Sequence, residues 1–215
     1  GSYVAISEDT NFLLQHYASS VPGKLIEMDM PSYNIDSGTI YLLFNGIQID
    51  KVSYSVDWQF SLLDNSDGVS LERISPSGPS NQASNWHSAA ESIGFATPGR
   101  INSQFLYQTN ASSIELQSDI MSPDQDGFED VLMVNYSFTT PGLLGKARIF
   151  DDLGREIKIL FSNELLSTKG FFTWDGVTSE QNKAPMGVYV LLLEVFSTDG
   201  QEILTKKIAF TIAGK

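Results

Sequence analysis

The sequence contains no cysteine, which excludes disulfide bonds and thiolate metal sites. It contains only two histidines, His16 and His87, and their wide separation argues against a zinc site. Basic residues are also few: 13 Lys and Arg are outnumbered by 26 Asp and Glu, so the net charge is −13. A surface of this sign repels nucleic acid and anionic lipid. The longest apolar run, from Val188 to Leu193, is far too short for membrane insertion.

The apolar content and the length of the chain indicate a folded protein. Apolar residues make up 41% of the sequence, which is enough for packed cores and argues against wholesale disorder. A length of 215 residues predicts one or two domains.

The first half predicts short strands around one helix. Residues 3–6 form a strand candidate that lacks an obvious partner, and residues 7–17 predict a short helix capped by Asp9. Asn45-Gly46 between two apolar runs predicts a two-residue hairpin with a type I′ turn. In the second run Ile47 and Ile49 share the inward face, whereas Val52 and Tyr54 have the opposite parity, so we expect a β-bulge near Asp50-Lys51 that restores the inward face.

Residues 68–103 have no apolar period long enough for a helix, and they predict a strand followed by a long loop pinned by a few large side chains, Trp86 among them. Residues 104–111 turn polar and predict a linker. Seven short strands separated by turn signals follow, which is typical of an immunoglobulin-like (Ig-like) sandwich. The predicted strands are 114–117, 131–138, 146–150, 156–161, 170–174, 188–196 and 202–212.

Motifs of the first half resemble the bacterial lamin-tail domain. They are YVAIS (3–7), GIQIDKVSY (46–54), SLERI (70–74), NWHSA (85–89) and ATPGRINS (96–103). This resemblance implies an Ig-like β-sandwich that serves as an appended, non-catalytic module of exported proteins. The first strands of that module should precede Tyr3. We therefore expect residues 1–107 to form a lamin-tail-like sandwich that is incomplete at its N-terminus.

Motifs of the second half resemble the Ig-like module of flagellar hook-assembly proteins and related C-terminal domains of secreted bacterial proteins. They are SPDQDGFED (122–130), IFDDLGREIKIL (149–160), FTWDG (172–176) and APMGVYVLLLE (184–194). In secreted proteins such a module sits at the C-terminus and can act as a sorting or anchoring signal. The expected fold class is thus all-β, with two tandem Ig-like β-sandwiches, the second covering residues 108–215. Trp174 resembles the strand-end tryptophan of this module and is expected in the core.

Asp124, Asp126 and Asp130 form the pattern D-x-D-G-x-x-D, which matches the opening half of a calcium-binding loop. The bidentate acid that closes such a loop is absent at the expected offset. Two interpretations stay open: a Ca²⁺ site, or a turn whose carboxylates accept backbone N–H groups. Calcium is the only cofactor that the sequence suggests.

Other candidates have simpler structural interpretations. The neighbours Trp86, His87 and Ser88 lack a nucleophile elbow and an oxyanion motif, so a loop tryptophan that plugs the sandwich is favoured over catalysis. Glu72 and Arg73 face opposite sides of a strand, and each is expected to form an ion pair with another strand. Four aromatic residues are candidates for a sugar-stacking surface, with core filling as the favoured alternative: Tyr33, Tyr41, Trp58 and Phe60.

These observations favour a non-catalytic accessory region of a larger exported bacterial protein, secreted or held at the cell surface. Its role would be anchoring, spacing or adhesion, and its export signal lies outside this sequence. The alternatives are a glycan- or protein-binding module and, less favoured, part of a hydrolase. Self-association through an exposed edge at residues 3–6 is a further hypothesis. No ligand-binding residue can be assigned.

Overall fold

The computed structural model describes residues 2–108 and 111–214. The chain divides into two compact units, Gly1–Tyr107 and Gln108–Lys215. Strands hold 42% of the residues and helices 9%, so the predicted all-β, sandwich-like fold class is confirmed. In the described part of the chain, no helix has both the length and the apolar character needed to span a membrane.

The first unit consists of three two-stranded sheets and one helix. β1 pairs with β2 in parallel, and β3 with β4 and β5 with β6 pair antiparallel. Short 3₁₀ turns connect some of these elements. In chain order the elements are β1 (Ala5–Ser7), α1 (Thr10–His16), β2 (Leu25–Glu27), β3 (Ser37–Phe44), β4 (Ile47–Ser55), β5 (Leu71–Arg73) and β6 (Trp86–Ser88).

The start of this unit corrects one prediction. The first strand begins at Ala5, and it is not a strand without a partner, because it pairs in parallel with β2. A parallel pair needs a crossover connection, and α1 lies in that connection. The helix itself is predicted correctly: the side chain of Asp9 caps it by accepting a hydrogen bond of 2.9 Å from the backbone N–H of Phe12.

The β3–β4 hairpin has the predicted turn. Asn45 and Gly46 both have positive φ, at 49° and 76°, as a type I′ turn requires. Leu42 pairs with Asp50 but Leu43 pairs with Gln48, so one extra residue is accommodated between them. That residue is Ile49, which places the β-bulge just before the predicted position.

The second unit is a two-layer sandwich. One layer has the strand order β11-β10-β13-β14-β8, the other has the order β12-β9-β7, and β8 runs parallel to β14. All seven predicted strands are present, and the two-residue β8 is the additional one. The strands are β7 (Ser113–Leu116), β8 (Ile120–Met121), β9 (Leu132–Ser137), β10 (Leu144–Asp151), β11 (Glu156–Leu165), β12 (Lys169–Trp174), β13 (Gly187–Phe196) and β14 (Glu202–Ile212).

Alternating residues of both layers fill the space between them. On β13, Tyr189, Leu191, Leu193 and Val195 are buried, and the intervening residues lie on the other face. Trp174 is also buried, and its ring contacts those of Tyr189 and Phe210. The prediction that Trp174 belongs to the core is therefore confirmed.

The linker predicted at residues 104–111 includes residues that belong to the first unit. Gln104 is fully buried, and its backbone N–H donates a hydrogen bond of 3.1 Å to Oε2 of Glu72. The chain is thus still part of the first unit at this residue. Thr109 and Asn110, which also belong to the predicted linker, lie outside the described residues.

Candidate functional site

The acidic loop, residues 122–130, joins β8 to β9 and holds the three predicted metal-ligating residues. Asp124, Asp126 and Asp130 each place a carboxylate oxygen within 4.8 Å of those of the other two. Asp124 and Asp126 are exposed and Asp130 is half-buried. The structure therefore brings the predicted residues together.

Backbone amides already contact these carboxylates. Asp130 accepts hydrogen bonds from the N–H groups of Gln125 and Gly127, at 2.5 and 2.7 Å. Asp126 accepts one from Phe128 at 2.9 Å, and Asp124 accepts one from the N–H of Asp126 at 3.2 Å. These contacts fold the loop into successive tight turns, which is the geometry of the turn interpretation.

The chemistry of the loop also fits a hard cation in part. Carboxylate oxygens are the ligands that Ca²⁺ prefers, but the ion takes six to eight of them. The nearby acid Glu129 is not part of this cluster, and its Oε1 accepts a hydrogen bond of 2.8 Å from the hydroxyl of Ser118. The three aspartates would thus hold a calcium ion together with backbone carbonyls or water. A cavity of about 370 Å³ borders the loop.

Glu72 on β5 is buried, and its carboxylate organises the end of the first unit. It accepts hydrogen bonds from the hydroxyl of Thr97, from the hydroxyl of Ser103 at 2.6 Å and from the N–H of Gln104 at 3.1 Å. Within residues 2–108 and 111–214 it forms no ion pair, so the predicted pairing with another strand is wrong for this residue. Hydrogen-bond donors from the last loop of the unit satisfy the carboxylate instead.

The expected ion pair does form at Arg73. Its guanidinium lies 3.0 Å from Oδ2 of Asp50 on β4, which ties the β5–β6 sheet to the hairpin. Asp50 also accepts hydrogen bonds from the hydroxyl of Ser80 and the N–H of Lys51. These two hydrogen bonds, the first above all, hold the pKa of Asp50 below its usual value, with burial opposing them and Arg73 assisting.

The Trp86-His87-Ser88 segment, β6, has a structural role. The hydroxyl of Ser88 donates to Gln59 and accepts a hydrogen bond of 2.7 Å from the N–H of Phe60. The ring of His87 contacts the carbonyl, not the hydroxyl, of Ser88, and it stacks on Phe60. Trp86 is half-buried, and its indole N–H donates to the carbonyl of Ser80 at 2.8 Å. Serine and histidine are therefore not arranged as nucleophile and base.

The four aromatic candidates divide into two groups. Phe60 is buried, and Trp58 is half-buried with its ring 6.2 Å from that of Trp86, so these two fill space as the alternative interpretation expects. Tyr33 and Tyr41 are exposed and remain candidates for contact with a ligand.

One surface was missed by the sequence reasoning. The far end of the β3–β4 hairpin exposes six large apolar side chains, here called the hairpin tip: Tyr41, Leu42, Leu43, Phe44, Ile47 and Ile49. Their exposed fractions are 53–68%, so the expectation that Ile47 and Ile49 face inward is wrong. A signal was present in the sequence, since residues 40–44 are apolar without alternation and such a strand is apolar on both faces.

Two solved structures show a distant likeness to part of this chain. PorZ, an essential bacterial surface component of the type-IX secretion system of Porphyromonas gingivalis, matches at 17% sequence identity and a TM-score of 0.31, over 47% of this chain and 11% of its own. The PmoD soluble domain from Methylocystis sp. matches at 14% identity and a TM-score of 0.32, over 47% of this chain and 90% of its own. No family model matches the sequence, and no curated protein matches it. These likenesses do not identify a function.

Proposed function

We propose that this chain is a non-catalytic accessory region of a larger exported bacterial protein. Its role is contact: it anchors, spaces or attaches its parent protein at the cell surface. The proposal rests on one observation: the side chains that could have been catalytic form contacts that stabilise the fold. Ser88 and Glu72 hold neighbouring backbone amides, and the ring of His87 stacks on Phe60.

The architecture of the second unit supports the same proposal. Its two layers enclose an apolar core, with Leu191, Leu193 and Val195 of one layer and Leu132 and Val134 of the other almost completely buried. A packed sandwich of this kind is a rigid body suited to spacing or anchoring. The sequence motifs of both halves, which resemble modules of exported proteins, point in the same direction.

A surface-display assay tests the proposal. A reporter enzyme with an export signal is fused in front of the chain and produced in a bacterium that carries proteins on its surface. We expect the reporter to remain with the cells, whereas the reporter alone enters the medium. Fusions that carry only 1–107 or only 108–215 show which unit is responsible. Equal release of the reporter with and without the chain would contradict the proposal.

Glycan or protein binding is the second candidate function, and the exposure of Tyr33 and Tyr41 favours it. Exposed aromatic rings can stack on sugar faces or anchor a protein partner. A glycan array probed with the purified chain separates these options. Signals that disappear in the Tyr33→Ala variant would support a sugar site, whereas an array without signals would leave protein contact as the remaining form of this candidate.

Calcium binding at the acidic loop stays a prediction. Titration of the metal-free chain with Ca²⁺ in a calorimeter measures it directly, and Asp126→Asn is the matched variant because this side chain is exposed. Binding in the micromolar to millimolar range that the variant weakens would establish the site. The absence of a binding signal at about 10 mM Ca²⁺, a concentration above the millimolar dissociation constants of weak extracellular calcium modules, would leave the turn interpretation.

A further inference from the structure

The hairpin tip is an apolar surface on a strongly acidic chain. Residues 37–49 contain no charged side chain, although the net charge of the chain is −13. With about 200 Å² for each fully exposed side chain of this size, the six residues of the tip expose about 700 Å². Monomeric proteins rarely expose a contiguous apolar patch of this area unless it is an interaction site.

The hairpin also has an open edge. Within the described residues β3 pairs only with β4, so every second residue of β3 directs its N–H and C=O groups away from the hairpin. The outer edge of β4 is partly covered, because the N–H of Ser53 donates a hydrogen bond of 2.6 Å to Oδ1 of Asn81. The edge available for pairing is therefore that of β3.

We propose that a second copy of this chain binds at the hairpin, with β3 of each copy pairing antiparallel to β3 of the other around a twofold axis. The product is a four-stranded sheet in the order β4-β3-β3-β4. Because a twofold contact uses the same edge of both copies, the pairing leaves no open β3 edge and closes as a dimer, and Asn81 partly covers the outer edge of β4.

Edge pairing is favoured because the tip is apolar on both faces. By the cross-strand register, Leu42, Phe44 and Ile47 lie on one face, and Tyr41 and Leu43 lie on the other. A flat partner would cover one face only. A strand that pairs with the edge of β3 places its own side chains beside those of β3 on both faces. Such cross-strand pairs stabilise a sheet.

The exposed area of the tip and the net charge of the chain are also consistent with binding of a second copy. The tip residues of β3 itself, Tyr41 to Phe44, expose about 470 Å² in each copy, so a β3–β3 contact has the area of a weak interface, which is below about 1,200 Å² in total. Two copies of an acidic chain repel each other over most of their surfaces, and the uncharged segment 37–49 is where they can approach with the least repulsion. A lipid bilayer would accept the apolar side chains, but it would leave the backbone groups of β3 without hydrogen-bond partners.

Sedimentation velocity over a range of about 1–100 μM, which spans the affinities of weak to moderate dimers, tests the inference on the full chain. The disruptive variant is Leu43→Glu, because Leu43 is exposed and its cross-strand neighbour Gln48 is uncharged. The matched control is Leu153→Glu, which makes the same change at an exposed position, 73% accessible, in the second unit. Circular dichroism spectra identical to that of the unmodified chain show that both variants fold.

We expect a monomer–dimer equilibrium whose dissociation constant rises at least tenfold in Leu43→Glu and is unchanged in Leu153→Glu. Amide exchange in β3 should slow as the concentration rises. A monomer at every concentration, a dimer that Leu43→Glu leaves intact, or a monomer that binds phosphatidylcholine vesicles through the tip would each overturn the inference. The surface-display assay can succeed or fail independently, since it measures retention of a reporter and not association in solution.

Discussion

Leu191 lies at the centre of the second unit, and its truncation tests whether the two layers enclose the core described above. The residue is fully buried on β13, which has β10 on one side and β14 on the other. Leu192, the next residue, points to the opposite face and is only half-buried. The two leucines therefore form a matched pair: they have the same chemistry and neighbouring positions, but opposite surroundings.

The expected effect of Leu191→Ala is large. Truncation of a buried leucine removes its transfer free energy and leaves a cavity, which together destabilise a protein by about 3–5 kcal/mol. The upper half of that range applies where the surroundings cannot collapse into the cavity, as on a strand that is hydrogen-bonded on both sides. For a unit of this size, about 4 °C is lost per kcal/mol, so we expect the melting temperature to fall by about 16–20 °C. Leu192→Ala should lower stability by less than about 1.5 kcal/mol, because that side chain keeps contact with water in the folded state.

Differential scanning calorimetry measures both variants and separates the melting of the two units where their transitions differ. Only the transition of the second unit should shift in Leu191→Ala. If the two alanine variants lose the same stability, or if Leu192→Ala loses more, the assignment of inward and outward faces on β13 is refuted, and with it the sandwich.

Two further predictions concern single contacts. The Ser80 hydroxyl holds the pKa of Asp50 below its usual value, so the stability that this carboxylate contributes is complete above its unfolded pKa and is lost as the pH falls through the lower, folded pKa. Asp50→Asn should therefore flatten the fall in stability below about pH 4, as measured by urea unfolding at stepped pH; an unchanged acid limb would contradict this. In Gly145→Ala the new methyl would lie 2.5 Å from Cδ1 of Leu166, and we expect a loss of about 1–3 kcal/mol in urea unfolding. The control Gly23→Ala has no atom within 4 Å of its new methyl, and equal losses in both variants would rule out overpacking.

Features that depend on a few adjacent residues could be predicted from the sequence. The Asn45-Gly46 turn follows from the conformational freedom of those two residues at positive φ. The cap of α1 follows from the short acceptor side chain of Asp9. The strands of the second unit follow from apolar alternation between turn signals. Each of these signals is carried by the segment that adopts the structure.

Contacts between distant segments could not be predicted in this way. Three contacts are of this kind: the parallel pairing of β1 with β2, the pairing of the two-residue strand β8 with β14, and the hydrogen bonds from Ser103 and Gln104 to Glu72. In each case the sequence of one segment contains no signal that identifies the other segment as its partner. At the acidic loop the pattern of aspartates was visible, but only the structure shows that they lie together and that backbone amides contact their carboxylates.

Local sequence patterns were enough to predict that the chain forms strands, where most of them turn, and which side chains are apolar. Which of those side chains are covered depends on the packing of the folded chain. Leu191 and Leu43 are the same residue in similar strands, yet one is fully buried and the other is 58% exposed. The physical reason is that burial depends on what packs against a strand, and that is set by segments far away in the chain.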